Sequence, residues 1–479
     1  MSSRFLASIA LAFLVSGSAA VAQTEPSPPP SETAAPAPLP PAGVVPAALT
    51  VDVTGTPATD ADVIDTEIRA ALNRAIRPTL RPGAAVSYGP IVPWPLLPLA
   101  LGQRTAIVVT VTIEGDLTSA PVQGTTMLTV ENVPVPQVPP RVLYLSDDPE
   151  YLWSDGLVFR GGVDAATPAR LYYYQSDLGL PRDVDVLVTA PVLTRVQLIG
   201  SGSGPDLDVM AVGHSVSRDF LRLEAANEGT IVDVGPGRPV VLRHALILQG
   251  EVVAGVVDAQ VLSGGPARLS VIATPAGGHA EAYLDGPRVP YDGHHRHGAF
   301  SLAGFGDLSR SYTVGGPDVA VRYGGRNATP PSLDPNDPGR DYGDYGVIHR
   351  ITFSLDNPTD DPQLVYLYER PLAGPVRSTF IVDGQMKDVG CARLPQQYRV
   401  MSYQLAPQSR GASTTITMTD GGSFYPLEFG VTSTPPLPTT PPVGAPEGCS
   451  PVVPAFNDAT PAPAPAQVPT PAETPSSPP

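Results

Sequence analysis

The sequence predicts a mainly β protein: a small α+β N-terminal module, then two Ig-like antiparallel β-sandwiches, between Pro-rich ends that stay disordered. Three observations carry this reading. Short runs rich in Val, Ile, Thr and Tyr, bounded by Gly, Pro and Asp, recur through residues 141–433 at the spacing of sandwich strands. Helical spacing of apolar residues is confined to one stretch of residues 48–137 and another near Val216–Ala226. Residues 23–47 and 434–479 are dominated by Pro, Ala, Thr and Ser, which cannot bury enough apolar area to offset the entropy of ordering.

Residues 1–22 read as a signal peptide. Arg4 supplies the positive charge, Phe5–Val15 the short apolar run, and Ala20-Val21-Ala22 the small residues before a cut at Gln23. That run is too short to cross a bilayer, and no later stretch approaches the roughly 20 apolar residues needed, so no membrane span is expected. Residues 23–47 follow as a Pro-rich linker.

The module at 48–137 opens with a strand at Leu49–Val53. Thr59-Asp60-Ala61-Asp62 resembles a capping box, after which Val63, Ile64, Ile68, Leu72 and Ala75 recur at helical spacing. Strands follow at Ala84–Tyr88, Thr105–Ile113 and Thr125–Val130, and the Pro-punctuated Pro90–Leu101 between them reads as a loop over the core. Pro134–Pro140 is a linker. The first sandwich, 141–275, draws on eight strand-like runs from Arg141–Leu145 to Ala267–Ala273, with Gly200–Gly204 as a flexible turn. Residues 276–345 read as a long inter-domain connection. The second sandwich, 346–433, draws on six runs from Val347–Leu355 to Tyr425–Val431. Residues 434–479 form the tail.

Charge narrows the function. The net charge is −17, with 29 Lys and Arg against 46 Asp and Glu. No basic stripe exists to displace phosphate counterions, which argues against nucleic acid and against adsorption to anionic lipid. Cys391 and Cys449 are the only cysteines; in an exported chain the default is one disulfide, which would close a 58-residue loop.

Several clusters invite chemistry. Asp292, His294, His295 and His297 place three of the seven histidines within four residues, and neutral imidazoles are favoured ligands of divalent metals. In an extended chain only His295 and His297 share a face, so the competing reading is a polar loop. Asp334–Asp344 carries oxygen ligands at short spacing. Its EF-hand frame fails, because Pro338 and Tyr345 stand at positions 5 and 12, which leaves an irregular Ca²⁺ site against solvated turns. Gly213-His214-Ser215-Val216-Ser217, after a strand-like Asp208–Val212, imitates a nucleophile elbow at Ser215. The surroundings lack the alternating βα pattern that such an elbow needs, and a turn into a short helix is the simpler account. Tyr151, Trp153 and Tyr172–Tyr174 offer rings for a glycan platform or for core packing.

Tyr342-Gly343-Asp344-Tyr345-Gly346-Val347, followed by a hydrophobic strand and Asn357-Pro358-Thr359, resembles the C-terminal region of uncharacterised exported bacterial β-sandwich proteins. Ser146-Asp147-Asp148-Pro149-Glu150 and the strand at Leu171–Tyr174 are similar to the start of the same type of protein. The resemblance covers about residues 141–433 and implies architecture and export, with no activity attached.

The expected function is therefore that of an exported, non-enzymatic structural or binding protein, with an envelope protein or glycan as partner and no cofactor. The alternatives are a divalent-metal-binding protein using Asp292, His294, His295 and His297, and a serine hydrolase at Ser215. Mass spectrometry of the exported protein should find an N-terminus at Gln23; full-length chain confined to the cytoplasm would contradict the leader.

Overall fold

The computed structural model describes residues 38–290, 296–326, 328–334, 340–438 and 449, without the side chains of residues 148–150. The fold is mainly β, with two helices of more than one turn among the described residues.

Helix α1 (Ala61–Ile76) starts at Asp60 and buries Val63, Ile64, Ile68, Leu72 and Ile76, close to the stripe read from the sequence. The backbone N–H of Asp60 donates to Glu228 Oε1 (2.8 Å), so the helix start is fixed by a distant residue rather than by a capping box. The stripe covers one face of strands Ala48–Thr54, Val122–Asn132, Arg104–Glu114 and Ala85–Val92, where Val51, Ile107, Val109, Leu128 and Val130 complete a core.

These four strands do not form a separate module. Ala48–Thr54 pairs antiparallel with Gly229–Val234, so the sheet runs on through Thr194–Asp206, Val252–Ser263, Ala169–Asp177, Val142–Leu152 and His297–Ser301, ten strands in all. A four-stranded sheet of Val240–Ile247, Arg182–Thr189, Ala267–Pro275 and Gly156–Val163 faces it across a core containing Leu171, Tyr173, Val186, Val196 and Val271. The last unit pairs two five-stranded sheets around Phe353, Phe380 and Phe429, with Phe380 and Phe429 stacked at 4.8 Å between centroids.

Several readings change. Pairing is not uniformly antiparallel: Val142–Leu152 runs parallel to Ala169–Asp177 because the chain crosses to the facing sheet, as Gly156–Val163, and returns. The 276–345 segment is no mere connection. It supplies His297–Ser301 to the ten-stranded sheet and Asp307–Thr313 and Val319–Tyr323 to the two sheets of the last unit. These strands are short and partly exposed on both faces, so their alternation is faint in the sequence. Gly200–Gly204 continues strand Thr194–Asp206, held by its pairing with Val252–Ser263. The start of the expected strand at 208–212 is instead the first turn of helix α2 (Val209–Ala225), where the Asp208 carboxylate accepts a hydrogen bond from Ala211 N (2.9 Å).

Helix α2 is buried over most of its circumference, with Ser215, Arg218, Asp219 and Arg222 along the partly exposed side. Val212, Val216, Phe220 and Leu221 pack among Tyr172, Tyr174, Ile199 and Val256 of the first unit and Ile381 and Met418 of the last. At Gly213 the backbone of the last unit approaches so closely that a Cβ would lie 2.0 Å from the Gly421 carbonyl oxygen. Replacing a helical Gly by Ala favours helix by about 1 kcal/mol, but overpacking against fixed backbone costs about 1–3 kcal/mol or more. Gly213→Ala should therefore lower the midpoint of thermal unfolding; a raised midpoint would show that the two units are not seated on each other here.

Candidate functional site

Three consecutive tyrosines show how the sheet positions a site. Strand Ala169–Asp177 lies between two layers, so Tyr173 faces the core of the first unit while Tyr172 and Tyr174 face α2 and the last unit. All three rings are buried. A buried phenol needs a partner, and the Tyr174 hydroxyl donates to the Val209 carbonyl at the start of α2.

Two segments of the last unit come down onto this layer. In residues 341–347, Asp341 Oδ1 accepts from Tyr345 N (2.9 Å), and Asp344, at φ +54°, accepts from Gly324 N through Oδ2 (2.8 Å). In residues 419–425, Thr419 Oγ1 donates to Asp344 O (2.7 Å), and Asp420 N donates to the Tyr425 hydroxyl (2.9 Å). The Tyr345 hydroxyl ties the two segments by donating to Ser423 O (2.7 Å). Between them and the first unit opens a cleft of about 410 Å³, walled by Tyr174, Tyr342, Tyr345, Phe424 and Tyr425. Arg296 and Arg326 bring guanidinium groups to it; Arg296 stacks over Tyr345 at 4.3 Å and Arg326 over Tyr342 at 5.6 Å.

The floor beneath the cleft carries less charge than its residue types imply. Burial, aided by the neighbouring Asp344, pushes Asp341 well above the ordinary carboxyl range. Burial raises Asp344 to about 7, and burial lowers His349, whose ring lies 4.5 Å from that of Tyr323, to about 3. At neutral pH His349 is a neutral imidazole, and burial disfavours the charged forms of Asp341 and Asp344. The cleft thus offers aromatic faces, backbone polar groups, the Asp147 carboxyl and two guanidiniums.

A second cluster holds the wall of the cleft in place. His214 on α2 sits between two carboxylates of the last unit, Nδ1 at 2.5 Å from Asp420 and Nε2 at 2.8 Å from Asp388. Burial alone would depress the imidazole; Asp420 and Asp388 overcome it and hold it at about 9. Fully buried Asp420 is itself pushed up by burial, to about 6, against the pull of His214, while Asp388 is lowered, burial opposing, by its ion pair with His214 and by Arg218. Glu369, also buried, rises to about 8. Arg350–Glu224 on α2 (3.0 Å) and Arg170 Nη1 of strand Ala169–Asp177 to Gly346 O (2.8 Å) join the same two units elsewhere.

The residues singled out from the sequence fall unevenly on this geometry. Asp292, His294 and His295 lie outside the described residues. His297 lies in strand His297–Ser301 with its ring edge-on to Phe159 at 5.2 Å. Of the Ca²⁺ candidates, Asp341 and Asp344 each direct one oxygen at a backbone N–H, and residues 335–339 lie outside the described residues. No group of three or more His, Cys, Asp or Glu placed to hold a metal occurs among the described residues. Both readings of Gly213–Ser217, the elbow and the turn into a helix, are corrected: the segment lies inside α2, no strand–turn–helix presents Ser215, and Gly213 admits the close approach to Gly421. Cys391 and Cys449 are joined in a disulfide. Sequence reasoning missed Asp388, Asp420 and Arg326, which look like solvated turn residues until the units are docked.

The chain matches no protein-family model and no curated protein. Among solved structures it is similar to Lac15 from a marine microbial metagenome (10% identity, 68% of this chain and 70% of that one, TM-score 0.13). It is also similar to Tripeptidyl Peptidase 2 (11% identity, 74% of this chain and 30% of that one, TM-score 0.15). At those TM-scores neither likeness bears on fold or activity.

The His214 shift gives a pH prediction. A folded-state value near 9 against an ordinary 6.5 stabilises the fold fully below about pH 6.5 and loses that contribution as pH rises through 9. The total is on the order of 3 kcal/mol. Melting midpoints measured from pH 6.5 to 10 should fall more steeply for the wild type than for His214→Gln; equal slopes would remove the clamp.

Proposed function

We propose that the chain is an exported, non-catalytic binding protein of the cell envelope or extracellular space, and that it takes a short glycan in the cleft between its two β units. The observation that carries this is the cleft itself, in which five aromatic side chains and two guanidiniums converge from both units around about 410 Å³. That volume suits a small ligand. Aromatic faces stack on the C–H faces of sugar rings, and guanidinium forks donate to paired hydroxyl oxygens.

Export is supported by the leader at 1–22, and the Cys391–Cys449 bridge suits an oxidising compartment. We read the two β units as Ig-like sandwiches, supported by the pairing of two sheets around one core in each. In such a frame the strands are scaffold and the loops at the junction meet the ligand.

Calorimetric titration with soluble cell-wall glycan fragments tests the reading. Phe424 and Tyr342 reach the cleft without being buried, so Phe424→Ala and Tyr342→Ala should each weaken binding about tenfold, as loss of a stacking ring does, with the melting midpoint unchanged. Absent binding, or affinity untouched by both substitutions, would remove the glycan from the cleft.

A further inference from the structure

We propose a second interaction surface: the tip formed by residues 92–98 of the N-terminal unit docks on a neutral lipid surface. The sequence around it is unusual for so acidic a chain. From Pro82 to Gln103 no residue is charged, while the protein as a whole carries −17. The structure turns the apolar members of that run outward. Trp94 is 72% exposed, Leu97 75% and Val92 56%, whereas Leu96 and Leu99 turn inward to the core beneath α1. Soluble proteins scatter exposed apolar residues singly; several on one short loop mark a contact surface.

The patch extends onto the sheet. Val92 is in register with Val108, and Val108 with Met127, so three exposed apolar side chains cross adjacent strands on the face opposite α1. Its base is rigid: Asn132 Nδ2 donates to Leu99 O (2.8 Å) and to Gly55 O (3.0 Å), and Leu101 N donates to Pro57 O (3.1 Å).

Three properties favour lipid over a protein partner. Val92, Trp94 and Leu97 are each more than half exposed rather than recessed. Prolines at 90, 93, 95 and 98 remove four backbone N–H donors, which lowers the cost of placing irregular backbone in a medium that cannot hydrogen-bond. Tryptophan is the side chain most at home at the boundary between headgroups and acyl chains. Charge selects the lipid: an uncharged tip on an acidic protein gains nothing from an anionic surface, which repels the rest of the molecule. A contact this small is reversible and peripheral, as single-anchor membrane contacts are.

The test uses the protein as recovered after export. Trp94 and Trp153 are the only tryptophans, so Trp153→Phe makes emission report on Trp94 alone. With phosphatidylcholine vesicles, Trp94 emission should shift to shorter wavelength and be quenched by brominated acyl chains. Trp94→Ser/Leu97→Ser should lower the co-sedimenting fraction about tenfold, as removal of two inserted apolar side chains implies. Leu117→Ser, at a fully exposed leucine on a different loop, should leave it unchanged. No spectral shift on phosphatidylcholine, sedimentation that survives the double substitution, or binding that requires anionic lipid and disappears in salt would each overturn the proposal. So would vesicles left unbound while the tip seats in the groove of a protein partner. The glycan titration is independent of all these outcomes.

Discussion

A histidine buried between two carboxylates governs how this molecule is put together. Transfer of the His214 imidazolium out of water is costly unless opposite charge pairs with it and a hydrogen bond is made to it. The helix that carries it belongs to the first β unit, and the carboxylates that satisfy it, Asp388 and Asp420, belong to the last. The units therefore have one seating in which this charge is solvated by protein. Around it α2 buries Phe220, Leu221 and Val216 with little selectivity, since apolar surfaces accept many packings. The ionic contacts specify the register, and the apolar contacts supply most of the stabilisation.

The cleft follows from that seating. Asp420 begins the 420–425 segment, so fixing its carboxylate also fixes Ser423, Phe424 and Tyr425 on the cleft wall. The opposite wall is set by Tyr345, held through its own backbone N–H by Asp341 and through its hydroxyl by Ser423. Other buried carboxyls are accommodated by holding their protons more tightly: burial raises Asp341, Asp344 and Glu369, whereas Asp420, at about 6, is ionised at neutral pH opposite His214. A junction built in this way is sensitive to rising pH, because ionising these acids and deprotonating His214 weaken it together.

The ten-stranded sheet joins the two proposed surfaces in one rigid layer. Ala85–Val92 is one edge strand and His297–Ser301, which follows Arg296 of the cleft, is the other. At about 4.8 Å per strand the edges stand roughly 40 Å apart. A tip lying on a lipid surface would hold the cleft well away from that surface, oriented by the sheet rather than by a linker.

The sequence by itself determined the β class, the helical stripe of α1 and most strand positions. Those signals are local: alternation, Pro and Gly punctuation, and apolar residues three or four apart. Tyr398–Leu405 and the Val63–Leu72 stripe are legible because each residue's neighbours in sequence are also its determinants in space. Only the tertiary structure decided that the N-terminal strands join the main sheet and that Gly213 marks a backbone crossing rather than a nucleophile elbow. It also decided that Asp388 and Asp420, some 170 and 206 residues beyond His214, are its partners. Such facts depend on pairings between distant segments, and an Asp in a turn has the same local sequence whether water or a buried imidazole completes its hydrogen bonds.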